Sequence, residues 1–400
     1  MAPPKVAIVK GPKKPGEKEI EASVRKAIEL AGGLADIVKR GDTVIIKPNI
    51  VVAQSPEGGA NTDPRVCKVI ANMVRELGAK PIIGEASSVG QVTEEAIQAA
   101  GYGKLREEGY EVIDFTKEET TKIPIPKGKS LKEVVLPKIV VEADVLIDVP
   151  KMKTHDQTEV TLALKNMKGV LLDKGKRSLH HTFGIFQGVA DLCTVVRPSL
   201  AVVDGIIAME GLGPMAGDLV EMDLIIAGKD LVAVDAVTAK IMGFDPADHG
   251  CIGAAVASGI GVGDLDKIEV VGEPIAKVQR RFKRASEAMG SLPFPEDFQL
   301  FMDEKACTGC RNTVIEVLME AKEANQLDRT AGWSVVVGKL SKLPEIDRTK
   351  LLLVGACTTK YKKEGIYVEG CPPNNRDVCN GLKNMGIDVI SGIDLSSLEE

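Results

Sequence analysis

The segment Val145-Leu-Ile-Asp-Val-Pro150, followed by Lys151-Met-Lys-Thr-His155, determines the fold class. A short apolar run rich in β-branched residues and ended by proline predicts a buried strand. Similar runs occur at residues 6–9, 44–46, 81–84, 112–115, 200–203, 224–227 and 268–271. Helical patterns separate many of these runs, for example at residues 65–77 and 231–242. This alternation predicts an α/β protein with a large, doubly wound, mostly parallel sheet whose sites lie at the carboxyl ends of strands.

Lysine and amide side chains follow two of these predicted strands and define a candidate pocket. Because parallel strands end at the same edge of a sheet, the side chains after residues 44–46 and 145–149 are expected to lie close together. Lysine ammonium groups suit carboxylate or phosphate ligands, so an anionic small molecule or cofactor is the expected ligand. The alternative is that these lysines are ordinary solvated surface charges. The candidate residues are Lys47, Asn49, Lys151, Lys153, His155, Lys165, Asn166 and Lys168.

Histidines and carboxylates add candidates to the same pocket. His180 and His181 fall on a segment predicted to be a flexible, glycine-bearing loop, and histidine is the readiest general base. Glu85 and Asp204 each end a predicted strand and are expected to bind the ligand. Any one of the histidines has the alternative of a purely structural role. The candidate catalytic residues are therefore Lys151, Lys153, His155, His180 and His181.

Composition limits the class of protein. The chain has 400 residues, of which 44% are hydrophobic and 27% charged, as expected for a globular protein of two or three domains. A net charge of −6 without a dense basic run argues against nucleic-acid binding. No apolar stretch is long enough to predict a membrane span, and no signal peptide is recognised, so a cytoplasmic location is expected.

Cysteines in the last hundred residues predict a metal site. They occur as Cys307-Thr-Gly-Cys310, as Cys357 and as Cys371-Pro-Pro373. In a reducing compartment, four converging thiolates hold zinc or an iron–sulfur cluster. A structural zinc site usually takes two CxxC-type pairs, whereas here Cys357 and Cys371 each stand alone after a strand-like run. Buried structural thiols are the alternative, and Cys67, Cys193, Cys251 and Cys379 are predicted to be of that kind.

The chain is predicted to divide at a proline-containing segment. Residues 1–275 form the predicted ligand-binding domain, and residues 276–300 a helix (278–289) and linker. Residues 301–400 form the predicted iron–sulfur domain, with a helix at 308–324 after the first cysteine pair. Few residues lie between Phe301 and Cys307 to form a first strand, so the sheet of that domain is expected to be shortened or to borrow a strand.

Two family resemblances accompany these patterns. Residues 1–275 resemble the domain-of-unknown-function family 362, on motifs that include Ile46-Lys-Pro-Asn49, Asp148-Val-Pro-Lys-Met-Lys-Thr-His155 and Lys165-Asn-Met-Lys-Gly169. Residues 301–392 resemble the proximal-cluster domain of nickel–iron hydrogenase small subunits and the homologous complex I subunit. The second resemblance implies a smaller flavodoxin-like α/β domain with one 4Fe-4S cluster. Its implied ligands are Cys307, Cys310, Cys357 and Cys371.

The expected function follows from these two sites together. The chain is predicted to be an iron–sulfur, electron-transfer or oxidoreductase protein that passes electrons to an anionic small molecule, a cofactor or a redox partner protein. One alternative is a non-redox binding protein stabilised by a metal. Another is an isomerase or hydrolase in which the iron–sulfur cluster is structural.

Overall fold

The structure, a computed structural model, describes residues 2–89, 91–215, 217–288, 292–303, 308–373 and 375–388, without the side chains of residues 181, 308, 309 and 312. Short β-branched runs form its strands. They are β1 Lys5–Lys10, β2 Thr43–Pro48, β3 Lys80–Glu85, β4 Glu111–Asp114, β5 Thr120–Pro124, β6 Glu133–Pro137, β7 Val145–Val149, β8 Lys151–His155, β9 Glu159–Thr161, β10 Leu200–Glu210, β11 Asp218–Gly228, β12 Glu269–Gly272, β13 Gln299–Met302, β14 Ser334–Val337, β15 Leu351–Val354 and β16 Ile366–Val368.

Helices lie between most of these strands. They are α1 Glu17–Leu30, α2 Pro64–Glu76, α3 Thr93–Ala99, α4 Tyr102–Glu107, α5 Lys138–Glu142, α6 Ala163–Asn166, α7 Asp173–Ser178, α8 Ile185–Val195, α9 Leu231–Ile241, α10 Gly250–Ala257, α11 Ile275–Val278, α12 Ala285–Ala288, α13 Thr308–Glu323 and α14 Asn375–Lys383. A π-helical turn, Leu179–Phe183, continues α7. Among the described residues, no helix combines the length and apolar character needed to cross a bilayer.

The large sheet has ten strands in the order β12-β1-β11-β10-β7-β2-β3-β4, with β8 paired to β10 and β9 to β8. Most pairs are parallel; β11 is antiparallel to β1 and β10, and β9 to β8. The mostly parallel α/β fold predicted from the sequence is therefore confirmed. The chain runs from β2 outward to β3 and β4, then returns to place β7 on the other side of β2. Such a reversal opens a crevice at the carboxyl ends of the two strands, where α/β proteins bind ligands.

Alternation along the strands covers both faces of the large sheet. Val44 and Ile46 point into one core with α1 and α2, whereas Ile45 points into the other core with α6, α8 and α9. β2 is thus buried on both sides, as expected for a central strand of a sheet with helices on both faces. Where β2 ends, the alternation places Lys47 on the α6 side of the sheet.

The small sheet contains four parallel strands in the order β13-β14-β15-β16, which is their order in the chain. Its first strand, β13, is formed by residues that precede Asp303 and pairs with β14, so the expectation that the sheet lacks this strand or borrows one is wrong. Helices α13 and α14 pack on one face through residues such as Ile315, Leu318 and Leu382. The position of the domain boundary within 276–300 remains a prediction.

Two predicted elements differ from the structure. The helix predicted at 278–289 is not continuous, because residues 279–284 lie extended between α11 and α12. There, Arg280 and Phe282 donate backbone hydrogen bonds to Ile241 and Met242, and the Phe282 side chain is buried. These tertiary contacts outweigh helix propensity. His180, predicted on a flexible loop, lies in the π-helical turn after α7.

Candidate functional site

One buried ion pair lies at the carboxyl ends of β2 and β3, and a second lies where the start of β8 pairs with the middle of β10. The Lys47 ammonium donates to Glu85 at 2.7 Å, and both side chains are at most 2% exposed. Lys151 pairs with Asp204 at 2.8 Å in the same manner. Gly169 is required beside the first pair, because a Cβ atom there would lie 2.1 Å from Glu85 Oε1. Charges buried this deeply persist only when they are paired and hydrogen-bonded.

Asparagines connect the first ion pair to the neighbouring strand end. Asn166 on α6 accepts hydrogen bonds from Lys47 and from Asn49 Nδ2, and its own amide donates to Asp148 at 2.7 Å. Burial raises the pKa of Asp148 well above its usual range, and Lys47 opposes that shift. This network holds the ends of β2 and β7 and the helix α6 in one arrangement.

An inner cavity of about 70 Å³ lies above this network. It has room for only a very small ligand or ordered waters. Within the described part of the chain, three buried polar atoms on its wall have no hydrogen-bond partner: Asn49 Oδ1, Ser87 Oγ and Thr161 Oγ1. Buried polar atoms are normally satisfied, so these atoms are available to a bound ligand or to water. The charged and amide residues on the wall are Asn49, Glu85, His155, Lys165, Asn166, Lys168 and Lys176.

Lysines on this wall have no carboxylate partner in the described part of the chain. Lys165 Nζ lies 3.1 Å from His155 Nε2, and Lys168 Nζ contacts His180 Nε2. Lys176 Nζ donates to the carbonyls of Ala86 and Ser87. Burial lowers the pKa of Lys165 and Lys168 and that of Lys176 to about 8. A bound anion would supply the missing countercharge and would favour the protonated form of these amines.

An outer cavity of about 400 Å³ adjoins the inner one, with which it shares Ser88, His155, Lys168 and Pro214. Its opposite wall comes from α13 of the small sheet, through Glu316, Met319, Glu320 and Glu323. Beside this cavity, Gln157, which follows β8 of the large sheet, donates to Asn375 of α14, which packs on the small sheet, at 2.7 Å. Residues from distant parts of the chain therefore enclose one site.

Acidic groups face the lysines across the outer cavity. The ligand atoms of His155, Asp156 and Glu316 all lie within 4.8 Å of one another. His155 Nδ1 is 2.7 Å from Asp156 Oδ1, so Asp156, His155 and Lys165 form a continuous polar chain. Burial raises the pKa of Asp156 and that of Glu316, and a hydrogen bond between the two carboxyl groups favours the proton on Glu316. Burial, together with the neighbouring lysines, lowers the pKa of His155 and keeps its ring neutral.

The cysteine-bearing loops of the small sheet converge at the start of α13. Cys310 lies in the first turn of α13 and is 4% exposed; Cys357 follows β15 and Cys371 follows β16. A Cβ atom on Gly355 would lie 2.6 Å from Cys310 Sγ, so this glycine lets the β15 loop approach the helix. Ala356 donates to the Gly370 carbonyl at 2.7 Å, which joins the Cys357 and Cys371 loops. Cys307 lies outside the described residues.

The sequence-predicted residues fall into two groups in the structure. Seven predicted side chains line a cavity: Asn49, Glu85, His155, Lys165, Asn166, Lys168 and His180. Lys47, Lys151, Lys153 and Asp204 are buried in the sheet instead, where Lys153 donates to the carbonyl of Ala60. The side chain of His181 lies outside the described residues. The cavities are also lined by residues that were not predicted from the sequence: Ser87, Asp156, Thr161, Lys176, Arg177, Glu316 and Glu320.

Glu320 should make the free energy of unfolding depend on pH. Burial, with Glu316 nearby, raises the pKa of Glu320 from 4.5 to about 8. The folded state therefore holds a proton that the unfolded state has released, so the free energy of unfolding should fall as the pH rises from about 4.5 to about 8. Glu320→Gln should reduce this fall by about 1–3 kcal/mol in urea unfolding at several pH values. Glu323→Gln, an exposed site on the same helix, is the matched control; an equal effect of both variants would contradict the assignment.

These features define an α/β protein with a lysine-lined ligand site at a reversal of strand order. The chain belongs to the family described as "Domain of unknown function (DUF362)", which matches residues 44–240. It is 32% identical over 231 residues to the thylakoid-associated protein sll1697 of Synechocystis sp., covering 56% of this chain and 71% of that protein. The matched family segment contains the residues of the inner cavity and ends before the cysteine-bearing tail.

Solved structures match this chain as well, and one of them is a lactate racemase. The lactate racemase apoprotein from Thermoanaerobacterium thermosaccharolyticum aligns with a TM-score of 0.39 and 14% identity, over 56% of this chain and 54% of that one. The chain thus spans about half the length of that structure. A likeness at this level supports no functional conclusion.

Proposed function

We propose that the chain is an iron–sulfur redox protein in which a 4Fe-4S cluster passes electrons to an anion bound in the lysine-lined cavities. The observation that carries the proposal is the position of α13. This helix begins at the cysteine pair, and its later turns form the wall of the outer cavity. Cys310 and Glu316 are separated along the helix axis by about 9 Å.

The described residues fit such a cofactor. Cys310, at the start of α13, lies beside Gly355, which leaves no room for a side chain there. The loops that carry Cys357 and Cys371 are joined by the hydrogen bond from Ala356 to the Gly370 carbonyl. The amides at the amino end of α13 favour negative charge, which thiolate-bound clusters carry. Cys307 completes the set on the strength of the sequence. When bound, the cofactor exchanges one electron at a time.

The cavity residues would bind the anion and move protons. Lys165, Lys168 and Lys176 supply positive charge without carboxylate partners in the described part of the chain. The hydroxyls of Ser87 and Thr161 are available to orient the ligand. Glu316 holds a proton beside Asp156, and the chain of Asp156, His155 and Lys165 leads from that proton to the inner cavity. A reduction that also needs a proton could therefore be completed at one place.

Anaerobic spectroscopy with a redox titration tests the proposal. The purified chain should contain about four irons with matching sulfide and show a broad visible band that bleaches on reduction. Titration with inorganic phosphate should shift the reduction potential, because an anion near the iron–sulfur cluster disfavours added electrons. Lys165→Met should abolish the shift and leave the spectrum intact, whereas Lys127→Met, an exposed site outside the cavities, should change neither. A colourless chain holding one zinc ion would overturn the proposal.

A second candidate function rests on His155, Asp156 and Glu316. Two carboxylates and an imidazole within 4.8 Å of one another could hold a divalent cation, as a metal-dependent isomerase or hydrolase would require. Lys165 and Lys168 beside His155 disfavour a cation there, which is why we rank this candidate second. Calorimetric titration with Zn²⁺ or Mn²⁺ separates the two: tight binding lost in Glu316→Gln would favour the cation site.

A further inference from the structure

A separate, largely apolar cavity of about 430 Å³ lies between the β5–β6 hairpin and the segment from Leu171 to Phe183. Its volume is within the range of small-molecule sites. The two lysine-lined cavities do not include its apolar side chains. Those side chains are Leu131, Val134, Val135, Leu171, Leu172, Leu179 and Phe183.

Hydrogen bonds and buried leucine side chains order the walls of this apolar cavity. Asp191 on α8 accepts backbone hydrogen bonds from Ser130 and Leu131, at 2.7 and 2.8 Å, which secures the hairpin loop. On the other wall, the Ser178 hydroxyl donates to the Lys174 carbonyl at 3.0 Å. Leu171 and Leu179 are at most 1% exposed. The cavity is thus a built space rather than a gap between loose loops.

Positive charge surrounds the mouth. Lys122, Lys132 and Lys174 are all exposed residues of the lining. Glu133 is the single carboxylate of the lining, and it is already paired with Lys122. An apolar interior with a cationic rim matches a molecule that has an apolar chain and one anionic head.

We propose that this cavity binds a fatty-acid-like amphiphile, with the chain among the leucines and the carboxylate near Lys174. The inference does not rest on the proposed redox function. The same chemistry occurs in free fatty acids and in anionic lipids. We commit to the free molecule, because a cavity of about 430 Å³ is of the size that holds a small molecule.

Calorimetric titration of the full chain with decanoate tests this site. We expect saturable binding of about one decanoate per chain, weakened at least about tenfold in Gly175→Leu. Gly175 lies on the wall, and a Cβ atom there meets only the Leu171 side chain at ordinary contact distance, so a larger side chain should fill the cavity without breaking α7. An unchanged melting temperature would show that the variant is folded.

Charge variants keep the test decisive if Gly175→Leu does not fold. Lys174→Glu should weaken decanoate binding by about threefold or more, whereas Lys127→Glu, exposed and outside the lining, should have no effect. Decyltrimethylammonium, with the same chain and a cationic head, should bind more weakly. Equal binding of both amphiphiles, no saturable binding of decanoate, or binding only to phosphatidylglycerol vesicles would overturn the proposal.

Discussion

Cys310→Ser is expected to lower the iron content from about four per chain to less than one and to remove the visible absorption band. The serine hydroxyl is a weaker iron ligand than the cysteine thiolate. Because Cys310 is buried at the start of α13, against Gly355, neither solvent nor a neighbouring side chain can take the place of the lost thiolate. Cys371→Ala should have the same effect from the opposite loop. Iron and sulfide assays on anaerobically purified protein, with a visible spectrum, measure the loss.

Cys379→Ser is the matched control for this experiment. Cys379 is a buried cysteine on α14, in the same core as Cys310, but its sulfur faces the Glu320 carboxylate at 3.7 Å. Iron content should therefore be unchanged in this variant. Full iron content in both Cys310→Ser and Cys371→Ala would refute the ligand assignment, even if the wild-type protein is brown.

Lys47→Met is expected to lower the free energy of unfolding by about 3–5 kcal/mol, because it leaves the Glu85 carboxylate buried without a countercharge. Burial raises the pKa of Glu85 even with Lys47 present. Without Lys47 the carboxyl should take up a proton more readily, so the loss should be smaller at pH 5 than at pH 8. Urea unfolding at both pH values measures the difference.

Two further variants test whether this loss of stability comes from the buried Lys47–Glu85 pair. Lys80→Met removes an exposed ion pair between β3 and β4, in which Lys80 lies 2.8 Å from Glu111, and should cost less than about 1 kcal/mol. The double variant Lys47→Met/Glu85→Leu should recover much of the stability lost by Lys47→Met alone, since no unpaired charge remains. Equal costs for Lys47→Met and Lys80→Met would show that the pair contributes no more than a surface contact.

Strand patterns in the sequence predicted the part of the site that lies at the strand ends of the large sheet. Lys47 and Asn49 come at the end of one β-branched run and His155 a few residues after another, so their position at one edge of a parallel sheet follows from strand periodicity. Their partners were less predictable: Glu316 and Glu320 lie on a helix far along the chain, where an exposed polar face and a cavity wall have the same pattern. Only the packing of α13 beside the end of β8 shows that these residues form a cavity wall and not an exposed polar face. The spacing of Glu316, Glu320 and Glu323 on one face was the available signal.

Backbone context explains the remaining differences. The segment at residues 279–284 carries helix-compatible side chains, yet its backbone bonds to Ile241 and Met242 because Phe282 fills a core position. Lys176 was not selected because it follows no strand. It reaches the cavity from α7, with its ammonium on the carbonyls of Ala86 and Ser87. Both cases depend on contacts between residues far apart in the chain, which single-sequence periodicity does not contain.

The dual role of α13 has a consequence for how the protein matures. The strands of the large sheet are complete by Gly272, whereas the outer wall of the anion site is supplied only when α13 is in place. On the proposed assignment, a newly made chain that has not yet received its iron and sulfide would present an unfinished wall and hold its anion weakly. Tight binding of the anion would then require the bound cofactor, and chains without the cofactor would not react.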